Sequence, residues 1–248
     1  MLRDEIDVEW GEYSHLEMLL GAMALIKRER DPDWLVVISG QDYPLRPAAE
    51  IESRLDASTE DAFLGQPWPL ATDRMPGPPE DEFFMRYAYR HVRAPMGIPR
   101  LPRRLRPLAY ARELPPRVGV RRARLPFGPH RRCFVSGDWP LLSRRAVGAL
   151  LRAARADAPL MRYYRRTVAA SESFFATVLM NAPGLKVSGD DRRYVRFAPG
   201  AANPDVLTRA DLPELFASGA QFARKFDAGV DAGVLDALDE HRRSASPR

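Results

Sequence analysis

A helix that carries a single charged residue is predicted by the stretch Ala169-Ala170-Ser171-Glu172-Ser173-Phe174-Phe175-Ala176-Thr177-Val178-Leu179. Phe175, Val178 and Leu179 recur at helical spacing, so we expect them to anchor this helix in a core. Glu172 then falls in the first turn, where the helix macrodipole favours the ionised carboxylate. A carboxylate that is ionised and fixed on a rigid element can act as a general base. The alternative is a first-turn glutamate that only stabilises its own helix.

Length and composition limit the classes of protein to consider. The chain of 248 residues can form one large domain or two small ones around a sizeable core. No run of about 18 apolar residues is present, so no transmembrane segment is expected, and the charged N-terminus is unlike a signal peptide. The single cysteine, Cys133, excludes an internal disulfide and a multi-cysteine metal site. We therefore expect a cytoplasmic protein, with peripheral contact to a membrane left open.

The basic character of the chain is a weak indication of a nucleic-acid partner. The net charge is +5, but only three of the 38 basic residues are lysine, namely Lys27, Lys186 and Lys225. Heavy use of arginine and alanine with so little lysine is typical of GC-rich coding sequences, which raise the isoelectric point whatever the function. We therefore expect no nucleic-acid partner.

Apolar patterning predicts an α/β protein. The capping-box pattern Ser14-His15-Leu16-Glu17 opens a first helix, and the continuous apolar run Trp34-Leu35-Val36-Val37-Ile38 predicts a buried parallel strand. A polar loop over 39–47 follows. It places Asp42 beyond the carboxyl end of the strand, where open α/β sheets bind ligands. The alternative for Asp42 is an ordinary turn residue.

The chain as a whole is predicted to form one domain with two irregular segments. We expect a single domain over 1–240, a Pro/Arg-rich loop over 94–130 within it, and a disordered tail over 241–248. A loop of that length is either an active-site or partner-binding segment or a solvated basic excursion. The other predicted elements are helices at 82–93, 144–156 (capped by Ser143) and 230–240, and strands at 133–135 and 193–197.

Five short motifs follow one another along the chain. They are Trp10-Gly11-x-x-Ser14, Ser39-Gly40-Gln41-Asp42-Tyr43-Pro44-Leu45, Gly137-Asp138-Trp139-x-Leu141, Ser171-Glu172-Ser173-Phe174-Phe175-x-Thr177 and Phe222-Ala223-Arg224-Lys225-Phe226-Asp227. In this order they resemble glycosyltransferase family 14, the core-2/I-branching β-1,6-N-acetylglucosaminyltransferases and peptide O-xylosyltransferases. The resemblance covers nearly the whole chain and is poorest in the Pro/Arg-rich segment.

The resemblance implies a GT-A-like nucleotide-sugar transferase fold, in which helices flank a mixed sheet. It also implies inverting transfer of a sugar from a UDP-sugar to the hydroxyl of a glycan or other hydroxylated acceptor. In the family, the glutamate at the position of Glu172 is the general base, and the basic pair that matches Arg224 and Lys225 holds the diphosphate without a metal ion. These roles suit the side chains, because an inverting displacement needs one base and fixed cations for the departing diphosphate. No cofactor is expected, and the choice between N-acetylglucosamine and xylose stays open.

Four further residues are candidates for binding, two for the donor and two for the acceptor or the transferred sugar. Asp42 and Tyr43 are expected to line the donor side at the carboxyl end of the first strand. Asp138 and Trp139 are expected to contact the sugar, because an indole face packs on a pyranose and a carboxylate accepts hydrogen bonds from hydroxyl groups. For Trp139 the alternative is a place in the core. For Ser14 we expect only a helix cap.

One part of the family's pattern is missing. Members carry a further strand-helix-strand unit before the motif that begins at Trp10, and that unit supplies much of the uracil and ribose pocket. Its absence indicates either a start codon placed too late, which we expect, or a natural truncation. Two other hypotheses about the function stay open. One is a non-catalytic remnant of the family, and the other is a basic module that binds a glycan, a membrane surface or nucleic acid through 94–130.

Overall fold

The computed structural model describes residues 7–70, 82–93, 109–112, 117–122, 124–201 and 203–245. Helices and short strands alternate along the chain. In order they are α1 (Tyr13–Glu29), β1 (Trp34–Val36), β2 (Asp42–Pro44), α2 (Ala48–Asp56), β3 (Ala62–Phe63), β4 (Trp68–Leu70), α3 (Glu82–Ala88), β5 (Tyr89–Arg93), β6 (Ala109–Arg112), β7 (Arg117–Arg121), β8 (Cys133–Val135), β9 (Leu141–Ser143), α4 (Arg144–Ala156), α5 (Ala158–Tyr164), α6 (Ala170–Met180), β10 (Val187–Ser188), β11 (Arg193–Val195), α7 (Leu212–Ala217), β12 (Phe222–Arg224) and α8 (Ala228–Ala245).

The strands of the described residues form four small sheets. Their strand orders are β1-β9-β3-β10, β11-β12-β2, β5-β7-β6 and β4-β8. Pairing is parallel between β3 and β10 and between β11 and β12, and it is antiparallel in the other pairs. The α/β class predicted from the sequence is therefore confirmed, with small mixed sheets in place of the one mixed sheet that was expected.

The first strand runs against the direction predicted for it. β1 pairs antiparallel with β9, with Trp34 opposite Ser143 and Val36 opposite Leu141, and its residues are only partly buried. The prediction of a buried parallel strand is therefore wrong. A continuous apolar run is typical of strands with little exposure, but it carries no information on their direction. The predicted loop that follows contains β2, so Asp42 begins a strand.

Helix α6 lies in the largest hydrophobic core. Phe174, Phe175 and Leu179 are buried there with apolar residues of α1, α4 and α5. The hydroxyl of Thr177 accepts a hydrogen bond of 2.9 Å from the main-chain N–H of Phe134 in β8, which fixes the helix against that strand. The predicted helix is therefore confirmed, as is its anchoring in a core by Phe175 and Leu179, whereas Val178 is only partly buried.

The single cysteine lies beside the same helix. The Sγ atom of Cys133 is 3.5 Å from Oγ of Ser173, and Ser173 also contacts the hydroxyl of Tyr164 at 2.9 Å. Burial raises the pKa of the Cys133 thiol to about 11, because no solvent stabilises the thiolate. The thiol is therefore protonated near neutral pH, the state in which a cysteine reacts least.

Part of the segment predicted as a Pro/Arg-rich loop forms a sheet. β7 pairs antiparallel with both β5 and β6. The prediction of a loop is therefore wrong for 109–112 and 117–121, and residues 94–108 and 113–116 lie outside the described residues. The helix predicted over 82–93 ends at Ala88, where β5 takes over. Arginine-rich strands are hard to detect in a sequence, because an antiparallel sheet with one solvated face needs only alternate apolar residues.

The starts of two helices test the capping predictions. α1 begins at Tyr13, so Ser14 lies inside it, and its hydroxyl accepts a hydrogen bond of 3.1 Å from the N–H of Glu9. The predicted cap at Ser14 is therefore wrong. The hydroxyl of Ser143 accepts a hydrogen bond of 3.2 Å from the N–H of Ala146, which confirms the predicted cap of α4.

The last helix is longer than predicted. α8 continues to Ala245, so the prediction of a disordered tail is wrong for 241–245, while 246–248 lie outside the described residues. An ion pair of 2.5 Å between Asp239 and Arg242 supports its final turns. No helix in the described ranges is both long enough and apolar enough to cross a membrane.

A buried ion pair lies within the three-stranded sheet, and its arginine also binds main-chain groups outside that sheet. The Nε atom of Arg193 in β11 lies 2.6 Å from Oδ1 of Asp42 in β2, and neither side chain is exposed. Asp42 Oδ2 accepts a hydrogen bond of 2.8 Å from the N–H of Ser39. The other guanidinium nitrogens of Arg193 donate to the carbonyl groups of Trp139 at 2.8 Å and Val37 at 3.2 Å. The pair therefore fixes the loop between β8 and β9 against the sheet that contains β12.

Removing one partner of this pair is expected to destabilise the fold. Asp42→Asn leaves the buried guanidinium of Arg193 with only the carboxylate of Asp191, 3.8 Å away, as a counter-charge among the described residues, and we expect the free energy of unfolding to fall by about 3–5 kcal/mol. Urea denaturation measures the change. As a control, Arg28→Gln breaks an exposed ion pair with Glu29 and is expected to cost less than about 1 kcal/mol. Equal effects of the two substitutions would contradict the structural role of the buried pair.

Candidate functional site

Glu172 is held in the first turn of α6 by contacts from two other elements. Its carbonyl oxygen accepts a hydrogen bond of 2.9 Å from the N–H of Ser136, which follows β8. Its Oε2 atom lies 2.9 Å from Nη1 of Arg86 in α3, and the side chains of Arg86 and Glu172 are 13% and 18% exposed. The predicted first-turn position is therefore confirmed. The ion pair with Arg86 stabilises the carboxylate as an anion.

Asp138 places a buried carboxyl group in the loop between β8 and β9. Its Oδ1 atom is hidden from solvent and has no hydrogen-bond partner among the described residues. Burial raises the pKa of Asp138, whereas a hydrogen bond with Ser171 and the charges of His15, Arg224 and Arg86 oppose that increase. The carboxyl group of Asp138 therefore interacts with side chains of four elements, namely α1, α3, α6 and β12.

Arg224 and Trp139 face each other beside this carboxyl group. The guanidinium carbon of Arg224 lies 5.0 Å from the centre of the indole ring, within the range of a cation–π contact. The Nε atom of Arg224 is buried and lacks a hydrogen-bond partner in the part of the chain that the structure describes. Trp139 is also partly buried and packs against the main core. The alternative of a core position for Trp139 is therefore correct for part of its side chain.

Lys225 follows Arg224 directly at the end of β12. The residue is partly buried, and its carbonyl oxygen accepts a hydrogen bond of 2.8 Å from the N–H of Leu207. Within the described ranges, neither Lys225 nor Arg224 forms an ion pair with a carboxylate. Both cations are therefore available to an anionic ligand.

Asp42 and Tyr43 make structural contacts within the protein. The carboxylate of Asp42 is used by the buried ion pair described above. The hydroxyl of Tyr43 donates a hydrogen bond of 2.8 Å to Asp239 of α8, and its ring packs edge-on against Phe226. Burial, and after it the Asp239 carboxylate, raises the pKa of Tyr43. Both residues therefore anchor the three-stranded sheet, and their contact with a donor stays a prediction.

Four residues of this region were not predicted from the sequence. Arg86 and Arg193 are two of many arginines, and only tertiary packing brings them to carboxylates. Ser171 had a local signal, because it precedes Glu172 within the same motif. His15 had no signal of its own, since its sequence context predicted only the start of a helix.

The candidate residues supply two carboxyl groups and two cations. Glu172 and Asp138 can accept a proton or a hydrogen bond from a hydroxyl group, whereas Arg224 and Lys225 can neutralise an anion. Over the described residues, no three His, Cys, Asp or Glu side chains are grouped so that they could hold a metal ion. The two unpartnered atoms, Asp138 Oδ1 and Arg224 Nε, are buried polar groups that a polar ligand would satisfy.

Comparison with known proteins assigns no family to the chain. No protein-family model matches the sequence, and a search of curated proteins gives no match. The function proposed below is therefore supported by the residues of the site and by the motifs that contain them.

Neutralising Asp138 is expected to stabilise the protein. Asp138→Asn removes a carboxyl group whose ionised form is disfavoured by burial, so the free energy of unfolding at pH 7 should rise by about 1 kcal/mol. Because the pKa of Asp138 is raised in the folded state, the folded chain binds this proton more tightly than the unfolded chain does. Asp138 therefore contributes most to the free energy of unfolding below pH 3.8, the ordinary pKa of an aspartate. This contribution falls as the pH rises through the raised pKa of the folded state.

Urea denaturation at several pH values tests this expectation. The gain from Asp138→Asn should shrink towards acidic pH, where the wild-type carboxyl group is itself neutral. Asp236→Asn, at an exposed position of α8, should change the free energy of unfolding by less than about 0.5 kcal/mol. A loss of stability in Asp138→Asn at pH 7 would show that the folded protein already satisfies the carboxylate.

Proposed function

We propose that this protein is an inverting glycosyltransferase with a GT-A-like fold. It transfers N-acetylglucosamine or xylose from a UDP-sugar to an acceptor hydroxyl without a metal ion. The observation that carries the proposal is the buried carboxyl group of Asp138, on which the charges of Arg224 and of Arg86, the ion-pair partner of Glu172, both act. Glu172, Asp138 and Arg224 belong to three of the motifs that resemble glycosyltransferase family 14. The unpartnered atoms of Asp138 and Arg224 suit a ligand that has both hydroxyl donors and acceptor oxygens. A nucleotide sugar has both.

In the proposed reaction Glu172 is the general base. Its carboxylate takes the proton of the acceptor hydroxyl while the hydroxyl oxygen attacks the anomeric carbon of the sugar. The bond from that carbon to the diphosphate breaks, its electron pair leaves with UDP, and the configuration at the carbon is inverted. A carboxylate has several lone pairs, so the ion pair between Oε2 and Arg86 is compatible with proton uptake. Arg86 keeps the base anionic and oriented before the acceptor binds.

Arg224 and Lys225 are proposed to stabilise the departing UDP. Negative charge grows on the diphosphate in the transition state, and fixed cations in a partly buried site stabilise it without reorganisation. The guanidinium can donate two hydrogen bonds to phosphate oxygens, and the ammonium supplies a compact charge. The contact with Trp139 orients the guanidinium of Arg224 before UDP binds.

Asp138 is proposed to bind a hydroxyl group of the transferred sugar. Its buried Oδ1 atom has an acceptor position that no described residue fills. A hydroxyl that donates to this atom would favour the ionised carboxylate and so offset the cost of its burial. The same residue then contributes to recognition of the donor, as the motif predicts.

UDP is expected to stabilise the folded protein in the presence of EDTA. A ligand that binds only the folded state raises the free energy of unfolding by about 2.7 kcal/mol at a hundredfold excess over its Kd. Lys225→Gln should weaken UDP binding about 10- to 100-fold, because a hydrogen bond to a charged group contributes about 1.5–3 kcal/mol. Lys186→Gln, at an exposed lysine, should leave the Kd unchanged. Melting temperatures over a UDP series measure both, and an unshifted wild-type melting temperature would contradict the diphosphate site.

Glu172→Gln is expected to abolish transfer and to preserve UDP binding. The amide cannot take the acceptor proton, and a general base contributes about 10²- to 10⁴-fold to the rate. Release of UDP from UDP-N-acetylglucosamine and UDP-xylose, over a panel of hydroxylated acceptors, measures the rate. Glu240→Gln, at an exposed position of α8, serves as the matched control and should retain full activity. If the Glu172→Gln variant transferred sugar at the wild-type rate, Glu172 would not be the general base.

A further inference from the structure

The sheet formed by β5, β7 and β6 packs one of its faces against the body of the protein. Tyr89, His91 and Gly119 are buried on this inner face. The guanidinium of Arg122 fixes the sheet in place, because it donates hydrogen bonds of 3.1 Å to the carbonyl oxygen of Tyr89 and of 3.0 Å to that of Tyr163. Successive residues of a strand alternate between its two faces, so the residues between the buried ones belong to the opposite, outer face.

The outer face consists of Arg90 and Val92 of β5 together with Val118 and Val120 of β7. Val92 lies opposite Val118 and Arg90 lies opposite Val120, so the four residues are neighbours on one surface. Val92 and Val120 are 47% and 48% exposed, and Arg90 is exposed as well. Valines that are half exposed beside a cation form an apolar patch with a charged rim, which is typical of an interaction surface.

The outer face lies within the most basic part of the chain. Residues 86–132 contain 14 of the 38 basic residues and one of the 33 acidic residues, Glu113. This segment is therefore net +13 and the remainder of the chain is net −8, which together give the total of +5. Coding bias raises arginine throughout a chain, so it does not explain this separation of charge. The partner of such a surface has to be anionic.

The same partner also has to accept apolar side chains. The three strands contain no acidic residue, and β6 places Ala109 and Ala111 at the register positions beside the valines of β7. An anionic lipid surface meets both requirements, because its headgroups attract cations and its acyl chains lie just beneath them. Arginine suits this boundary, since its guanidinium stays among phosphate groups while its aliphatic stem packs on apolar groups.

Two other partners fit the outer face less well. A nucleic acid or an anionic glycan would bind the cations, but it has no apolar layer to cover the valines. The four residues of the outer face also include no aromatic ring on which a base could stack. A second copy of the chain would bring the same excess of positive charge to the surface, and like charges repel.

We propose that the outer face docks the protein on an anionic membrane surface. The net positive charge around it attracts phosphate headgroups, and Val92 and Val120 enter the boundary between headgroups and acyl chains. The remainder of the chain is acidic and is repelled by the same surface, so the separation of charge also orients the protein with this sheet towards the lipid. The inference does not depend on the reaction proposed above.

Sedimentation of the full chain with lipid vesicles tests the proposal. We expect binding to vesicles of phosphatidylcholine mixed with phosphatidylglycerol, and weaker binding as the salt concentration rises, because ions screen the attraction. Vesicles of phosphatidylcholine alone should bind little protein. Absence of binding to the anionic vesicles at low salt would overturn the proposal. Equal binding to both kinds of vesicle would also overturn it, because charge would then play no part.

The double variant Val92→Thr/Val120→Thr tests the apolar part of the surface. Threonine keeps the branched shape and the strand preference of valine, and both positions are exposed, so the fold should be preserved. The affinity for anionic vesicles should fall roughly 3- to 10-fold, because less apolar surface reaches the acyl chains. Val230→Thr, at a position of α8 that is 61% exposed, is the matched control and should bind as the wild type does. Unchanged affinity of the double variant would overturn the membrane as partner in favour of a soluble polyanion such as heparin.

Arg90→Gln tests the cationic part. The affinity for anionic vesicles should fall about fivefold, the effect of one basic residue near an anionic surface. Arg28→Gln, at an exposed arginine of α1 outside the basic segment, should change it less. Circular dichroism and urea denaturation confirm that each variant is folded. Equal effects of the two arginine substitutions would overturn the outer face as the docking surface, because attraction would then depend on net charge alone.

Discussion

The ion pair between Asp42 and Arg193 is the constraint on which the arrangement of the site depends. Both side chains are withdrawn from solvent, so each charge must be compensated within the protein, and only a fixed geometry achieves this. Arg193 donates its remaining hydrogen bonds to carbonyl groups of Val37 and Trp139, which lie outside its own sheet. Because Trp139 follows Asp138 directly, the guanidinium that anchors the three-stranded sheet also fixes the loop that supplies the buried carboxyl group.

Helix α6 connects the hydrophobic core to the site. Phe174 and Phe175 are fully buried, so the helix is held as a rigid body, and its first turn carries Ser171 and Glu172 to the other polar groups. Buried atoms of Asp138 and Arg224 in the site lack hydrogen-bond partners among the described residues. Such groups reduce stability, and proteins retain them where function requires a particular arrangement.

The parts of the fold that could be predicted are those set by residues close in sequence. Helix α6 follows from its apolar spacing, the cap of α4 from Ser143, and strand β8 from a short apolar run. The direction of β1 was not predictable, because strand direction depends on which partner lies beside it. The partner of Asp42 was equally hidden, since Arg193 is one arginine among many in this chain. Motifs thus indicated the elements that carry the site, whereas tertiary packing decided which side chains meet there.

The buried thiol of Cys133 has a practical consequence. Alkylating reagents attack the thiolate, which burial disfavours here, and the sulfur is packed against Ser173 inside the protein. The chain has no other cysteine. A cysteine introduced at the surface would therefore be the one position where a fluorophore or spin label attaches to the folded protein. Two such labels, one on α1 and one on α6, would report the separation of these helices in solution while the native thiol stays unmodified.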